Sequence, residues 1–142
     1  MIDANSFAIT ITDFFRIGNM KRMTKQRKAI LNCLLETGRP LYIEEILEYA
    51  ASKIPRINLS TVYRTIKALM EEEKIILSEL PGEKSYYEII QKDHHHYFVC
   101  DACSKVYFIT QCPKGVDEIV PEGFHLLGHS ITLNGFCVEC HS

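Results

Sequence analysis

The sequence predicts an α/β (α+β) fold in two parts, three helices and a hairpin over residues 1-90 and a smaller cysteine-rich part over 91-142. Three observations carry that prediction. Apolar residues recur at helical spacing through the first 70 positions and then give way to two short strand-like runs around Leu80-Pro81-Gly82-Glu83-Lys84. Charge is divided unevenly along the chain. Two Cys-x-x-Cys pairs lie in the last 45 residues.

Bulk properties narrow the class. A composition of 46% hydrophobic and 24% charged residues is that of a folded chain. No apolar run approaches the roughly 20 residues of a membrane span. Asp3 and Asp13 flank the apolar N-terminal residues, and no small-residue cleavage site follows, which argues against a signal peptide. The expected location is the cytoplasm, where six cysteines favour metal binding over disulfides. Net charge is −2, but residues 1–75 hold twelve Lys/Arg against nine Asp/Glu, and residues 76–142 hold four against nine. Arg16, Lys21, Arg22, Lys25, Arg27 and Lys28 cluster with no acid among them. A basic head on an acidic body suits a polyanion at one end.

Thr24 is the expected N-cap of a first helix running through Ala29, Ile30, Cys33 and Leu34 to a stop at Gly38. Leu41 to Ala50 reads as a second helix with Leu47 and Ala50 inward, Glu44 and Glu45 in its first turn, and no evident cap. Asn58 is the expected cap of a third, whose stripe is Leu59, Val62, Ile66, Leu69 and Met70. The opposite face presents Ser60, Tyr63, Arg64 and Lys67, with Thr61 at its edge. Hydroxyls, a phenol and two cations on one face have the chemistry to meet base edges and phosphates. Ile75 to Glu79 and Tyr86 to Ile90 then form the hairpin. Three helices and a hairpin are the order of a winged helix-turn-helix, whose third helix enters the major groove of double-stranded DNA.

Cys100-Asp101-Ala102-Cys103 and Cys137-Val138-Glu139-Cys140 are separated by 33 residues. Each two-residue spacer lets a tight turn aim two thiolates at one ion, and two such turns complete a closed tetrahedral shell for structural Zn2+. Cys33 falls on an apolar stripe and is expected in the core. Cys112 stands alone, an extra ligand or a free thiol. His94-His95-His96 precedes the first pair; in an extended chain His94 and His96 share one side and His95 takes the other. Two imidazoles at i and i+2 chelate one ion, with His129 and a carboxylate from Asp117, Glu118 or Glu122 to complete the shell. Such a mixed set suits Zn2+, Fe2+, Mn2+ or Ni2+.

Arg22-Met23-Thr24-Lys25-Gln26-Arg27 opens the first helix and Leu59-Ser60-Thr61-Val62-Tyr63-Arg64 the third. With Glu88, the histidines before Cys100, Gly128-His129-Ser130 and the two cysteine pairs, these motifs resemble the ferric-uptake-regulator family of bacterial metal and peroxide sensors. The resemblance spans residues 20 to 140. It implies a homodimeric repressor that binds a palindromic AT-rich operator with metal as corepressor, in the service of metal homeostasis. By position, Tyr63 and Arg64 would contact the major groove and Lys21 and Arg22 the backbone or minor groove, with Arg27, Ser60, Thr61 and Lys67 in the same DNA-binding set.

The resemblance also implies that the second part is a dimerisation domain, in which Cys100, Cys103, Cys137 and Cys140 hold the structural zinc. His94, His96, Asp117 and His129 match the regulatory metal site nearest that domain. Glu88 and His95 match a second site at the hinge, with Cys112 as a soft substitute ligand of the kind zinc-sensing members use. However, Tyr97 stands where many members have a histidine, and Arg39-Pro40 replaces the usual N-terminal ligand. Zinc is therefore the favoured signal, with an iron- or peroxide-responsive member as the alternative. Neither a zinc hydrolase nor a thiol redox protein fits as well. A closed four-sulfur shell has no open position for substrate, and no H-x-E with a following P-C-x-x-C occurs. The reading is of a non-enzyme that takes no small molecule other than metal ions.

Overall fold

The computed structural model describes residues 24–80 and 84–141, and the chain divides into two compact units after Ile90. Lys21, Arg22 and the tip of the hairpin turn lie outside the described residues.

In the first unit, helix α1 spans Lys25–Thr37, α2 Ile43–Lys53 and α3 Leu59–Glu71; strands β1, Ile75–Ser78, and β2, Tyr86–Ile89, pair antiparallel. The expected caps form. Thr24 accepts from the Arg27 amide, and Asn58 Oδ1 accepts from the Thr61 amide at 2.9 Å. Gly38 closes α1 at φ +63°, a left-handed conformation that costs glycine nothing. The second helix begins at Ile43, two residues later than expected, because Leu41 pairs with Tyr87 through two backbone hydrogen bonds of 2.9 and 2.8 Å. At its start the Glu45 carboxylate accepts the Tyr42 amide at 3.0 Å, which supplies the cap that Tyr42's own side chain does not.

Ile30, Leu34, Ile46, Ala50, Val62, Ile66 and Leu69 form the buried centre of this unit. Ile46, not Leu47, is the fully buried partner of Ala50 on α2; Leu47 is half-buried. Leu59 departs from the expected stripe and is 43% exposed, because the first helical residue projects beyond the core that Val62 begins to fill.

Arg27 also departs from expectation. It is 7% exposed and ion-paired through Nη2 with Glu72 just beyond the end of α3. The expected DNA contact is thus corrected to a buried pair that ties α1 to α3.

In the second unit, β3 (His96–Cys100) lies at the centre of a three-stranded sheet, antiparallel to β4 (Val106–Ile109) and parallel to β5 (Thr132–Gly135). A single 3₁₀ turn, Val116–Ile119, lies in the connection. The parallel register runs from Tyr97 opposite Thr132 to Cys100 opposite Gly135. Gly135 leaves little room for a side chain: a Cβ there would lie 3.1 Å from Phe98 Cζ, which would have to shift by a few tenths of an ångström. No helix among the described residues is long and apolar enough to cross a membrane.

Removing one partner of a buried ion pair costs about 3–5 kcal/mol. Arg27→Ala is therefore expected to lower unfolding free energy by about 3 kcal/mol in urea titration. A variant of unchanged stability would return Arg27 to the DNA-facing set.

Candidate metal centres and nucleic-acid interface

Two groups of potential ligands form in the second unit, at opposite ends of the parallel β3–β5 pair. At one end, β3 finishes in Cys100, and Cys137 follows two residues after β5. Both Cys-x-x-Cys turns close the same way: Ser104 N–H donates to Cys100 O at 2.8 Å, and His141 N–H to Cys137 O at 2.9 Å. This bend aims both sulfurs of each turn inward. The four Sγ atoms lie within 4.8 Å of one another, with Cys103 and Cys137 3.8 Å apart. A tetrahedron of about 2.3 Å zinc–sulfur bonds has edges of about 3.8 Å, so the spacing fits zinc. The Cys137 backbone N–H donates to Cys100 Sγ at 3.4 Å and is the first cause that lowers the Cys100 thiol to about 6. The thiolate a metal requires is thereby favoured. Lys105 Nζ meets Glu139 Oε2 at 3.1 Å and joins the two turns from outside.

At the other end, His94 and His96 lead into β3 and His129 lies three residues before β5. His94 Nε2 is 3.1 Å from His96 Nε2 and 3.2 Å from His129 Nε2, and Cys112 Sγ is 3.0 Å from His129 Nε2. Nitrogens sharing a tetrahedral ion at about 2.0–2.1 Å stand about 3.3 Å apart, so three imidazoles and a thiol fit one ion. His96 is buried. Burial first, then the neighbouring His94 and His129, hold its pKa below the ordinary histidine value, which keeps the ring neutral for ligation. Ile131 N–H donates to His96 Nδ1 at 3.1 Å. The neutral ring therefore carries its proton on Nε2, inside the cluster.

The sequence set is thus revised. His94, His96 and His129 come together as expected, but Cys112 joins them where Asp117 was expected. Asp117 falls in the 3₁₀ turn and belongs to neither cluster. The reason is geometric: Cys112 lies three residues beyond β4, whose antiparallel pairing returns the chain to the histidine end of β3. Periodicity gave no sign of this, since residues 110–115 carry no regular pattern. Within the second unit Cys112 therefore stands beside His129, on the side of His94 and His96. His95 takes the opposite side of the strand, as alternation requires, with Nε2 3.0 Å from the Tyr97 hydroxyl and its ring edge-on to Phe108. Glu88 is fully buried in β2. Arg39, at the position of the usual N-terminal ligand, bonds Glu45 Oε1 at 2.5 Å and is a cation already paired.

On α3, Tyr63 is 46% exposed, Ser60, Arg64 and Lys67 are exposed, and Thr61 is half-buried. Among the described residues neither Arg64 nor Lys67 pairs with a carboxylate. Both cations remain available to an anionic partner.

Residues 19–134 match the family model described as "Ferric uptake regulator family". The chain is 32% identical over 125 residues to the ferric uptake regulation protein of Synechococcus elongatus, covering 84% of this chain and 85% of that one. Its fold is similar to a zinc-bound manganese uptake regulator, at TM-score 0.74 and 25% identity, covering 89% and 95% of the two chains. It is also similar to the ferric uptake regulator of Helicobacter pylori, described as having three functional metal binding sites, at TM-score 0.63 and 27% identity, covering 85% and 83%.

Three substitutions test the two centres. Cys137→Ser is expected to lose the tightly held zinc and unfold the second unit, read as metal per chain and loss of amide-exchange protection in β3 and β5. Cys112→Ser should weaken the second metal at least tenfold in competition titration and leave the first in place, whereas Asp117→Ala should change neither. Because Cys112 must lose its proton to bind, while the His96 proton only shifts from Nε2 to Nδ1, metal at the second centre displaces a proton from the thiol, and its affinity should rise with pH. Calorimetry in buffers of different ionisation enthalpy reads that release directly; equal heats would contradict it.

Proposed function

The chain belongs to the ferric uptake regulator family, whose members are transcription regulators and not enzymes, and from that premise we propose that it is a metal-responsive DNA-binding repressor. It acts in the cytoplasm as a homodimer, with zinc the favoured signal. The observation that carries the reading is the convergence of His94, His96, His129 and Cys112 apart from the four-cysteine site. A set of three imidazoles and one thiolate is soft for Mn2+, which prefers carboxylate and water, and suits Zn2+ better than an all-oxygen partner set would. The similar proteins named for bound zinc and for three metal sites are in keeping with this.

The ion at this centre supplies a positive charge that several strands can share. Everything else is done by the chain. His94 and His96 anchor the site to β3, His129 draws in the segment before β5, and Cys112 draws in the segment after β4. When Nε2 of His96 is a ligand its proton moves elsewhere, so the Ile131 amide must find a new acceptor. The start of β5 therefore responds to occupancy. Strand β5 is one of the two edges of its sheet among the described residues, and Leu133, Phe136 and Val138 are exposed on or beside it, which supports a second copy of the chain as the partner covering this side. Two copies place two α3 helices for two half-sites of a palindrome. Occupancy shifts the population towards the binding arrangement only by its differential affinity, typically about 1–3 kcal/mol.

The test is DNA binding at controlled free metal. Operator fragments are expected to bind with Zn2+ at least tenfold more tightly than in chelator, and more tightly than with Mn2+; equal affinity in both states would overturn metal dependence. Arg64→Ala should abolish specific binding while zinc content and dimer mass stay unchanged, since the side chain is exposed.

A further inference from the structure

Helix α1 carries its charges against its own dipole. Its first turn contains Lys25, Arg27 and Lys28 and no acid, and its last turn contains Glu36 and no base. Cations at a helix N-terminus and an anion at its C-terminus each lose the stabilisation that the reverse order would give. The same N-terminus opens on a cleft of about 410 Å³ lined by Thr24, Gln26 and Arg27 on one side and Thr61, Arg64 and Thr65 on the other. Arg27 is more than nine-tenths buried in the cleft wall, and among the described residues its Nε has no hydrogen-bond partner. Among the described residues no acidic side chain lines the cleft.

The available donors are specific. Thr61 and Thr65 spend their hydroxyl protons within α3, on Asn58 Oδ1 and on Thr61 O. What remains is the Gln26 amide, the Thr24 hydroxyl, the Arg64 guanidinium and the backbone N–H groups of Lys25 and Gln26, since the Arg27 and Lys28 N–H groups donate to Thr24. Converging amides, a hydroxyl and a guanidinium are the donors of a phosphate site.

We propose that this cleft holds one phosphate of the DNA backbone in each half-site, with Gln26 and the N-terminus of α1 fixing how deep α3 sits in the groove. The inference rests on the DNA-binding reading above and deepens it. An open cleft shared with Arg64 suits a phosphodiester strand that runs past α3, and free inorganic phosphate offers the same chemistry without that continuity. Gln26 here is a positioning residue and carries no sequence information.

Substitution at Gln26 gives effects of opposite sign on folding and binding. Gln26→Glu places an acid where the helix dipole favours one, so thermal stability should hold or rise. The same change should weaken metal-loaded binding about tenfold, equally for a selected operator duplex and a nonspecific duplex, and lower the salt slope by about one per protomer. Gln26→Lys should tighten both. In a scan of operators carrying single neutral methylphosphonates, the Gln26→Glu penalty should vanish at one phosphate in each half-site.

A parent that binds neither duplex defeats the DNA-binding reading itself. A parent that binds while Gln26→Glu matches it in affinity and slope overturns only the phosphate site. A loss confined to the selected operator would place Gln26 on base edges and also overturn it. Competition by millimolar inorganic phosphate that is lost in Gln26→Glu, without any methylphosphonate position removing the penalty, would assign the cleft to the free anion and contradict the proposal.

Discussion

Parallel pairing of β3 with β5 is the constraint on which the second unit depends. Because the two strands run the same way in a fixed register, residues preceding each strand gather at one end and residues following each gather at the other. His94 and His129 are 35 positions apart, and so meet; Cys100 and Cys137 are 37 apart, and so meet. A slip of one residue would turn every side chain of the strand to the opposite face and dissolve both groups. Four residue pairs are a short ladder for a parallel edge strand, and parallel pairing is the weaker kind. An ion at each end would hold what the ladder alone holds weakly. The two ligand groups are therefore placed as clamps on one pair of strands.

The first unit solves a different problem. On the DNA-binding reading it would have to present cations to a polyanion without letting them disturb its core. Arg27 and Arg39 are absorbed in pairs with Glu72 and Glu45, and Arg64 and Lys67 are left outside. The division is set by the helical period. The face of α3 that buries Val62, Ile66 and Leu69 cannot also carry Tyr63, Arg64 and Lys67, so burial on one side fixes exposure on the other. The uncompensated first turn of α1 follows the same logic, with its dipole left open on the side where α3 keeps its free cations.

Features governed by local spacing were legible in the sequence. Caps at Thr24 and Asn58, the stop at Gly38, the hairpin and the two cysteine turns each depend on a few neighbouring residues. The side taken by His95 follows from strand alternation alone. Features governed by distant pairing were not legible. Leu41 reads as helix by periodicity but is drawn into a bridge with Tyr87, 46 residues away. Arg27 reads as one of six clustered cations, and only packing against Glu72 shows it to be internal. Cys112 reads as a stray thiol because its place beside His129 is made by the turn of β4 back along β3. Asp117 was favoured through family resemblance, and the short 3₁₀ turn that carries it lies outside the cluster.

The central claim is that this protein carries two differently composed centres, one of four sulfurs and one of three nitrogens and a sulfur. X-ray absorption at the zinc edge, on full-length protein holding two zinc ions per chain, counts those ligands directly. The account predicts a sulfur-to-nitrogen ratio of five to three, falling to four sulfurs against four lighter ligands in Cys112→Ser. A ratio of four to four in the unaltered protein would contradict it, because Cys112 would then be no ligand and the second centre would be completed by oxygen or nitrogen.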